Sequence, residues 1–292
     1  MDASFNTSIK RGRTIFSNLL TKQAMINNGS YLSTALPTIG GAGSNDVVLD
    51  QNIGGVNISP NEFNTLNGFT YQPPPVVNNG GSLLFPLTPN PYGYLTIPNS
   101  SDFSFGTEDF TIEWFQYLTN PNSFPRVFSF GSFTTGGATI SVSIEEGLFY
   151  LWLNGVSYFG TAVSINNAWV HFAIVRLSGT VTVYLNGTPI TSPISNSVNL
   201  INTTTTFTIG NESVTSTETA FTGYISNFRM VKGSAVYNAN FSPPTGPLTP
   251  VPNTVLLINS QLPSSAFIDS SGTGKIITSV NVSWQMNSPF SN

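Results

Sequence analysis

An all-β fold, built as a sandwich of two antiparallel sheets, is what this sequence predicts. Three observations carry the prediction. Short apolar runs recur between turn residues from Gly81 to about Leu248, and none keeps the ten or more periodic positions of a helix. The 292 residues include 26 Gly and 20 Pro, with 39% hydrophobic and 12% aromatic residues. Such a chain can bury a large core yet is broken by turns throughout. Finally, Asn154-Gly155 follows Leu148 to Leu153, and Asn186-Gly187 follows Val181 to Leu185. Asn-Gly takes the positive φ angles that a two-residue hairpin turn requires.

Along the chain, residues 1–80 stand apart as an N-terminal arm. They hold Lys10, Arg11, Arg13 and Lys22, then the Gly-rich Ile39 to Gly43 and the stiff Pro73-Pro74-Pro75. Ile15, Phe16, Leu19 and Leu20, extended by Gln23-Ala24, fit one short helical stripe with Thr14 as its cap. Residues 81–249 form the sandwich. Its expected strands are Ser82 to Phe85, Tyr94 to Ile97, Phe110 to Tyr117, Val127 to Phe130, Thr139 to Ile144 and Leu148 to Leu153. Trp169 to Arg176, Val181 to Leu185, Phe207 to Ile209 and Tyr224 to Met230 complete the set. Residues 250–292 carry Val255 to Ile258, Lys275 to Ile277 and Val280 to Trp284. These read as extra strands packed on the sandwich, because about 40 residues seldom bury enough surface to stand alone.

Composition narrows the function. Charged residues are 8% of the chain against a usual ~25%, which excludes a coiled coil, a charged disordered chain and a nucleic-acid-coating protein. The net charge of −4 confers no general affinity for polyanions. Absence of Cys removes thiol nucleophiles, disulfide frameworks and thiolate metal sites together, and leaves the redox compartment open. No apolar run is long enough to span a bilayer, and Met1-Asp2-Ala3-Ser4-Phe5 lacks the layout of a signal peptide. Neither membrane insertion nor signal-directed export is expected.

Three ordered motifs carry a family resemblance. Tyr94-Leu95-Thr96-Ile97-Pro98, with Asp102 to Gly106 and Asp109 to Trp114, resembles the beginning of laminin-G-like domains in the concanavalin A-like lectin/glucanase superfamily. Trp169 to Arg176, the hairpin Val183 to Gly187, and Phe221 to Arg229 resemble later strands of that family, in the same order. The similarity covers roughly residues 81 to 270, and residues 1–80 do not share it. The segments Tyr224 to Gly233 and Asn240 to Thr245 resemble a subgroup common in structural and fibre-like proteins of large DNA viruses and phages. The resemblance implies a concanavalin A-like jelly-roll sandwich. It does not fix an activity, since the fold carries glycan binding, hydrolysis and scaffolding alike.

Little in the sequence points to catalysis. His171 is the one histidine, and both faces of its strand are apolar, so a buried structural role is expected. Glycoside hydrolysis, which the resemblance suggests, needs two carboxyl groups about 5 to 9.5 Å apart. The Glu-x-Asp-x-x-Glu strand motif of related glucanases is absent, and Asp109 lies four residues from Glu113, roughly 13 Å along a strand. Glu145-Glu146 reads as a solvated turn. Ser270 to Lys275 is faintly like a phosphate loop, but Asp269 and Ile276 stand where Gly and Ser/Thr belong, so it reads as a turn. The loop with Asp102, Glu108 and Asp109 could contribute to a calcium site such as related domains sometimes hold; solvated acidic residues are the preferred reading. No metal or cofactor is expected.

The aromatic residues say more. If Phe149, Leu151 and Leu153 face the core, Leu148, Tyr150 and Trp152 stand on the other face. Tyr150, Trp152 and Tyr158 are therefore the candidate contacts for a glycan or partner, the alternative being that the chain's own annexes cover them. Lys10, Arg11, Arg13 and Lys22 mark the arm as an assembly segment. Four charges make a weak footprint for nucleic acid, and docking on a neighbouring subunit is preferred. The expected role is a non-enzymatic structural protein of a virus particle: a minor capsid, decoration or fibre component, assembled in the host cytoplasm. Its expected partners are other particle proteins in an oligomer or lattice, together with glycans. The alternatives are a free-standing glycan-binding module and a glycoside hydrolase.

Overall fold

The computed structural model describes residues 80–86, 92–119, 124–131, 139–163, 165–190, 192–202, 206–212 and 218–290. The chain divides between Val77 and Asn78. Lys10, Arg11, Arg13 and Lys22, with the helix expected after Thr14, lie outside the described residues.

Among the described residues the strands are, in order, β1 (Ser82–Phe85), β2 (Tyr94–Pro98), β3 (Phe110–Leu118), β4 (Arg126–Phe130), β5 (Ile140–Glu145) and β6 (Leu148–Leu153). Then come β7 (Val156–Ala162), β8 (Trp169–Leu177), β9 (Thr180–Leu185), β10 (Thr188–Pro189), β11 (Ile194–Ser195) and β12 (Thr206–Ile209). The last are β13 (Gly223–Lys232), β14 (Thr254–Ile258), β15 (Thr278–Val280) and β16 (Ser283–Gln285). One sheet runs β10-β9-β8-β3-β13-β1-β16, with β11 also on β9 and β14 also on β13; the other runs β15-β2-β12-β4-β5-β6-β7. The two antiparallel sheets form the jelly-roll sandwich expected from the sequence.

The strand period explains the core. Alternate residues point inward, so Ile112 and Trp114 on β3, Phe128 and Phe130 on β4, Phe149 and Leu151 on β6, Phe172 on β8 and Phe228 on β13 are all buried. Their rings knit the sheets together. Phe172 stacks on Phe149 at 5.1 Å and on Trp114 at 5.3 Å, and Phe128 meets Phe228 edge-on at 5.4 Å. Each such ring buries ~150 to 250 Å², worth several kcal/mol gross at ~25 cal/mol per Å².

Turn chemistry fixes the hairpins. Asn154 and Gly155 have φ of 48° and 78°, and Asn186 and Gly187 have 49° and 78°, as the Asn-Gly pairs require. The first turn leads into β7, a strand whose apolar pattern was too weak to be expected. Glu146-Gly147 makes a third turn of this kind, leaving Glu145 as the last residue of β5.

Residues 250–292 supply strands to both sheets, with two shifts from expectation. Val280 to Trp284 is divided, Val280 ending β15 on the smaller sheet and Ser283-Trp284 opening β16 on the larger. Lys275 to Ile277 is not a strand, and Ile276 is 71% exposed. The cause is Asp269. Its carboxylate accepts from the backbone of Leu257 (3.1 Å), Ser271 (3.0 Å) and Lys275 (3.0 Å) and from the Thr273 hydroxyl (2.8 Å). The Lys275 N–H is thereby taken, Ile276 makes only an isolated bridge to Ile268, and the ladder with β2 begins at Thr278. In the segment that faintly resembles a phosphate loop, a carboxylate of the chain itself fills the place an anion would take.

A strap, residues 234–241, covers part of the outer face of the larger sheet. Ala235, Tyr237 and Phe241 pack on Ala173, Val175 and Tyr184. Thr111 holds it, accepting from Val236 N at 2.8 Å and donating to the Ser234 carbonyl at 3.2 Å. Phe241 N donates to the Gly187 carbonyl at 3.0 Å. A Cβ at position 187 would lie 1.7 Å from the Phe241 oxygen, so the strap can close only over glycine.

Candidate functional site

On β6 the alternation is as expected. Phe149, Leu151 and Leu153 are buried in the core, whereas Leu148, Tyr150 and Trp152 face outward and are half-buried. Trp152 lies between Ser141 on β5 and Ser157 on β7, and Tyr150 is paired with Ser143. Both residues also interact with other parts of the chain. Tyr158 does not join them. The two-residue turn pairs Leu151 with Tyr158, which puts that ring on the core side, where its hydroxyl accepts from the Asn196 amide at 3.3 Å. The expected trio is therefore a pair, with Tyr158 a packing residue at the rim of the core.

Further across the same face, small hydroxyl side chains continue the row, and they are already engaged. Ser141 Oγ donates to the Phe128 carbonyl at 3.3 Å, Ser129 Oγ to Gly131 at 2.6 Å, and Thr208 Oγ1 to Asn211 at 2.6 Å. These groups stiffen the sheet and are buried.

The carboxylates are organised in ways that strand spacing could not reveal. Glu113, fully buried on β3, accepts from Arg229 Nε at 2.9 Å, from the Tyr237 hydroxyl at 2.8 Å and from His171 Nε2 at 3.1 Å. His171 is thus buried, as expected, but it belongs to a polar network beneath the strap instead of an apolar face. Burial alone would raise the Glu113 pKa; the His171 hydrogen bond, the Arg229 charge and the Tyr237 hydroxyl hold it below the ordinary carboxylate value. Tyr237 is pushed up, first by burial and then by the neighbouring carboxylate.

Arg126 clamps two more, Glu145 at 2.7 Å and Glu212 at 2.8 Å, all three side chains being nearly buried. Glu145 is consequently not part of a solvated turn; the Arg126 guanidinium and Ser143 Oγ at 2.7 Å draw it into the structure. In the acidic loop, Asp102 pairs with Lys275 and Asp109 accepts from Ser178 N at 2.7 Å. Lys275 holds Asp102 below the usual carboxylate range. Among the described residues, no three His, Cys, Asp or Glu side chains gather as a metal site. A charged residue inside an apolar strand demands a partner, so Glu113 and Arg229 were detectable as members of some pair, although not of this one.

The chain is thus a two-sheet jelly roll with aromatic side chains on an outer face and with Glu113, Glu145 and Glu212 engaged by its own cations. Residues 89–235 match the Concanavalin A-like lectin/glucanases superfamily, and the chain belongs to that family. The laminin-G-like expectation is met at this level. A search of the curated proteins finds no match. Among solved structures, a Bacteroides ovatus protein assigned as carbohydrate-binding is similar at TM-score 0.54 and 15% identity, over 74% of this chain and 62% of that one. The match thus spans less than two thirds of the Bacteroides protein. The native heptameric SAP-like pentraxin of Limulus polyphemus aligns at TM-score 0.49 and 15% identity, over 74% of this chain and all 100% of its own. Mouse laminin alpha1 domains LG4-5 align at 0.37 and 15%, over 55% and 44%. At these identities the likeness is one of fold.

Proposed function

We propose that this chain is a non-catalytic recognition module that binds glycans, with the outer face of β6 as its contact surface. The state of the carboxylates carries the reading. Glycoside hydrolysis needs two carboxyl groups facing each other across an open cleft, one of them free to exchange a proton. Here Glu113 is sealed beneath the strap, Glu145 and Glu212 share the Arg126 guanidinium, and Asp102 is paired with Lys275. These engaged carboxylates, in a lectin-like fold, support binding over hydrolysis. Half-buried Tyr150 and Trp152 stand side by side on the outer face of β6, and paired aromatic side chains are a common element of sugar-binding surfaces. A glycan array and a hydrolysis assay on the same preparation test this. Binding without turnover is expected, with Trp152→Ala weakening it about tenfold or more. Turnover of a bound glycan would overturn the non-catalytic assignment, and unchanged binding in Trp152→Ala would remove β6 from the site.

The finer reading makes this module the exposed body of a virus-particle component, in contact with other particle proteins. It rests on the resemblance of residues 224–233 and 240–245 to the viral subgroup. In this fold those residues build β13 and anchor the strap. Fixed stoichiometry in purified particles is the expected result, and consistent absence from particles would remove the viral role while leaving the recognition module.

A further inference from the structure

We propose that the groove between the strap and the β8–β9 hairpin is a second ligand site, on the opposite sheet from Tyr150 and Trp152, shaped for a single neutral saccharide ring; the proposal rests on the glycan-binding reading above. The strap stops short of the β8–β9 turn, and beyond it the outer face opens into a groove of about 290 Å³. Val175 (2% exposed) and Tyr184 (5% exposed) make an apolar base. Tyr237 and Asn238 line it from the strap, and Ser178, Thr180 and Thr182 from the hairpin.

Three features select the ligand. First, no lining side chain carries a charge. The carboxylate behind Tyr237, Glu113, is already matched by Arg229 and covered by the Tyr237 hydroxyl. An ionic ligand would lose its hydration here without gaining a counter-charge. Second, among the described residues the side chains of Ser178, Thr180, Thr182 and Asn238 make no hydrogen bond to the rest of the chain. On the other sheet Ser129, Ser141 and Thr208 instead donate to backbone carbonyls. Available hydroxyls and one amide around an apolar base complement a pyranose, which presents C–H groups on its face and hydroxyls around its rim. Third, β10 and β11 both pair with β9, so an extended peptide cannot add there as a further strand. The volume is at the small end of ligand pockets, which suits one ring better than an oligomer. The wall is also preformed, because the hydrogen bond from Tyr237 to buried Glu113 fixes its ring.

The test is titration of the ¹⁵N-labelled full chain with methyl glycosides of glucose, galactose, mannose and N-acetylglucosamine, with glucuronate as the charged comparison. At least one neutral glycoside should shift amides of residues 178–182 and 237–238, and glucuronate should bind more weakly than the matched glucoside. Thr182→Arg, which fills the groove from an outward-facing position, and Asn238→Ala, at an exposed residue, should each reduce affinity about tenfold or more. Trp152→Ala should leave these shifts in place. If Thr182→Arg fails to fold, Asn238→Ala and the shift map carry the same test. Absence of shifts in the groove with all four glycosides, unchanged affinity in the folded variants, or equal response to glucuronate would overturn the proposal. Shifts confined to the β6 face would overturn it while sparing the glycan-binding reading, which only a blank array would remove as well.

Discussion

Glu113 is satisfied on both oxygens, and that orients its neighbour. A carboxylate only accepts, so His171 presents Nε2–H to it, while its Nδ1 is buried and without a partner among the described residues. The network is consequently asymmetric. Glu113→Gln should cost about 3 to 5 kcal/mol, because it leaves the Arg229 guanidinium buried without its counter-charge. His171→Gln should cost only about 1 to 2 kcal/mol, the scale of one hydrogen bond and some packing. Urea unfolding of the two variants checks this, and equal losses would show that the charge pair does not dominate. The pH dependence follows from the same group together with Asp102 and Asp269, all three held below their ordinary values. Depressed carboxylates contribute stability that is present above their unfolded pKa and lost as pH falls through the folded one. The melting temperature should therefore stay level from about pH 5 to 8 and drop below about pH 4. Tyr237 acts in the other direction. Its raised pKa contributes stability that is present below about pH 10 and lost only as pH rises through the higher folded value. The burial of His171 was legible from the apolar strand around it. Its partners were not, because Glu113, Arg229 and Tyr237 come from strands and a strap that only the sheet order brings together.

The hairpins show how much a two-residue turn determines. Asn154-Gly155 pairs Leu153 with Val156, hence Trp152 with Ser157 and Leu151 with Tyr158. Counting outward from the turn would have placed Tyr158 on the core side from sequence alone, since the strand period is two. Strands such as β1 and β6 coincide with their expected ranges because alternation and turn signals agree there. The strap has no such signal: residues 234–241 are neither strand nor helix, and their place depends on one turn. Gly187→Ala tests that dependence. Both Gly187 and Gly147 have φ near 80°, so alanine strains either backbone by about 1 to 2 kcal/mol, but the nearest atom to a Cβ at Gly147 is 3.9 Å away. Only Gly187→Ala drives a methyl group into the Phe241 carbonyl. Hydrogen exchange of the residue 235–241 amides should accelerate in Gly187→Ala and remain unchanged in Gly147→Ala. Acceleration in neither would mean that the strap is held by Thr111 and Tyr237 alone.

At the scale of the whole molecule, the C-terminal segment is built into both sheets. β15 flanks β2 at one edge of the smaller sheet, β16 flanks β1 at an edge of the larger one, and β14 pairs with β13. The indole of Trp284 on β16 donates to the Ser260 carbonyl at 2.9 Å and lies against Gly81, where a Cβ would be 2.4 Å from its nitrogen. Removing residues 250–292 would strip β14 and β16 from the larger sheet and β15 from the smaller, and would take Leu256 and Ile258 out of the core, exposing the apolar side chains they cover. Each exposed aliphatic side chain costs about 1.5 to 3 kcal/mol, enough with the lost ladders to exceed the usual stability of a domain. That truncation should not yield a cooperatively unfolding protein. Removing residues 1–77 should leave one, with an unfolding midpoint close to that of the full chain, because every described strand and the described core lie after Gly80. The same shortened chain tests the assembly role expected of Lys10, Arg11, Arg13 and Lys22. If the arm docks on a neighbouring subunit, sedimentation should find the truncated protein monomeric at concentrations where the full chain associates. Assembly that survives the truncation would place the anchoring surface on the sandwich, and assembly lost together with cooperative unfolding would show that the arm belongs to the fold itself.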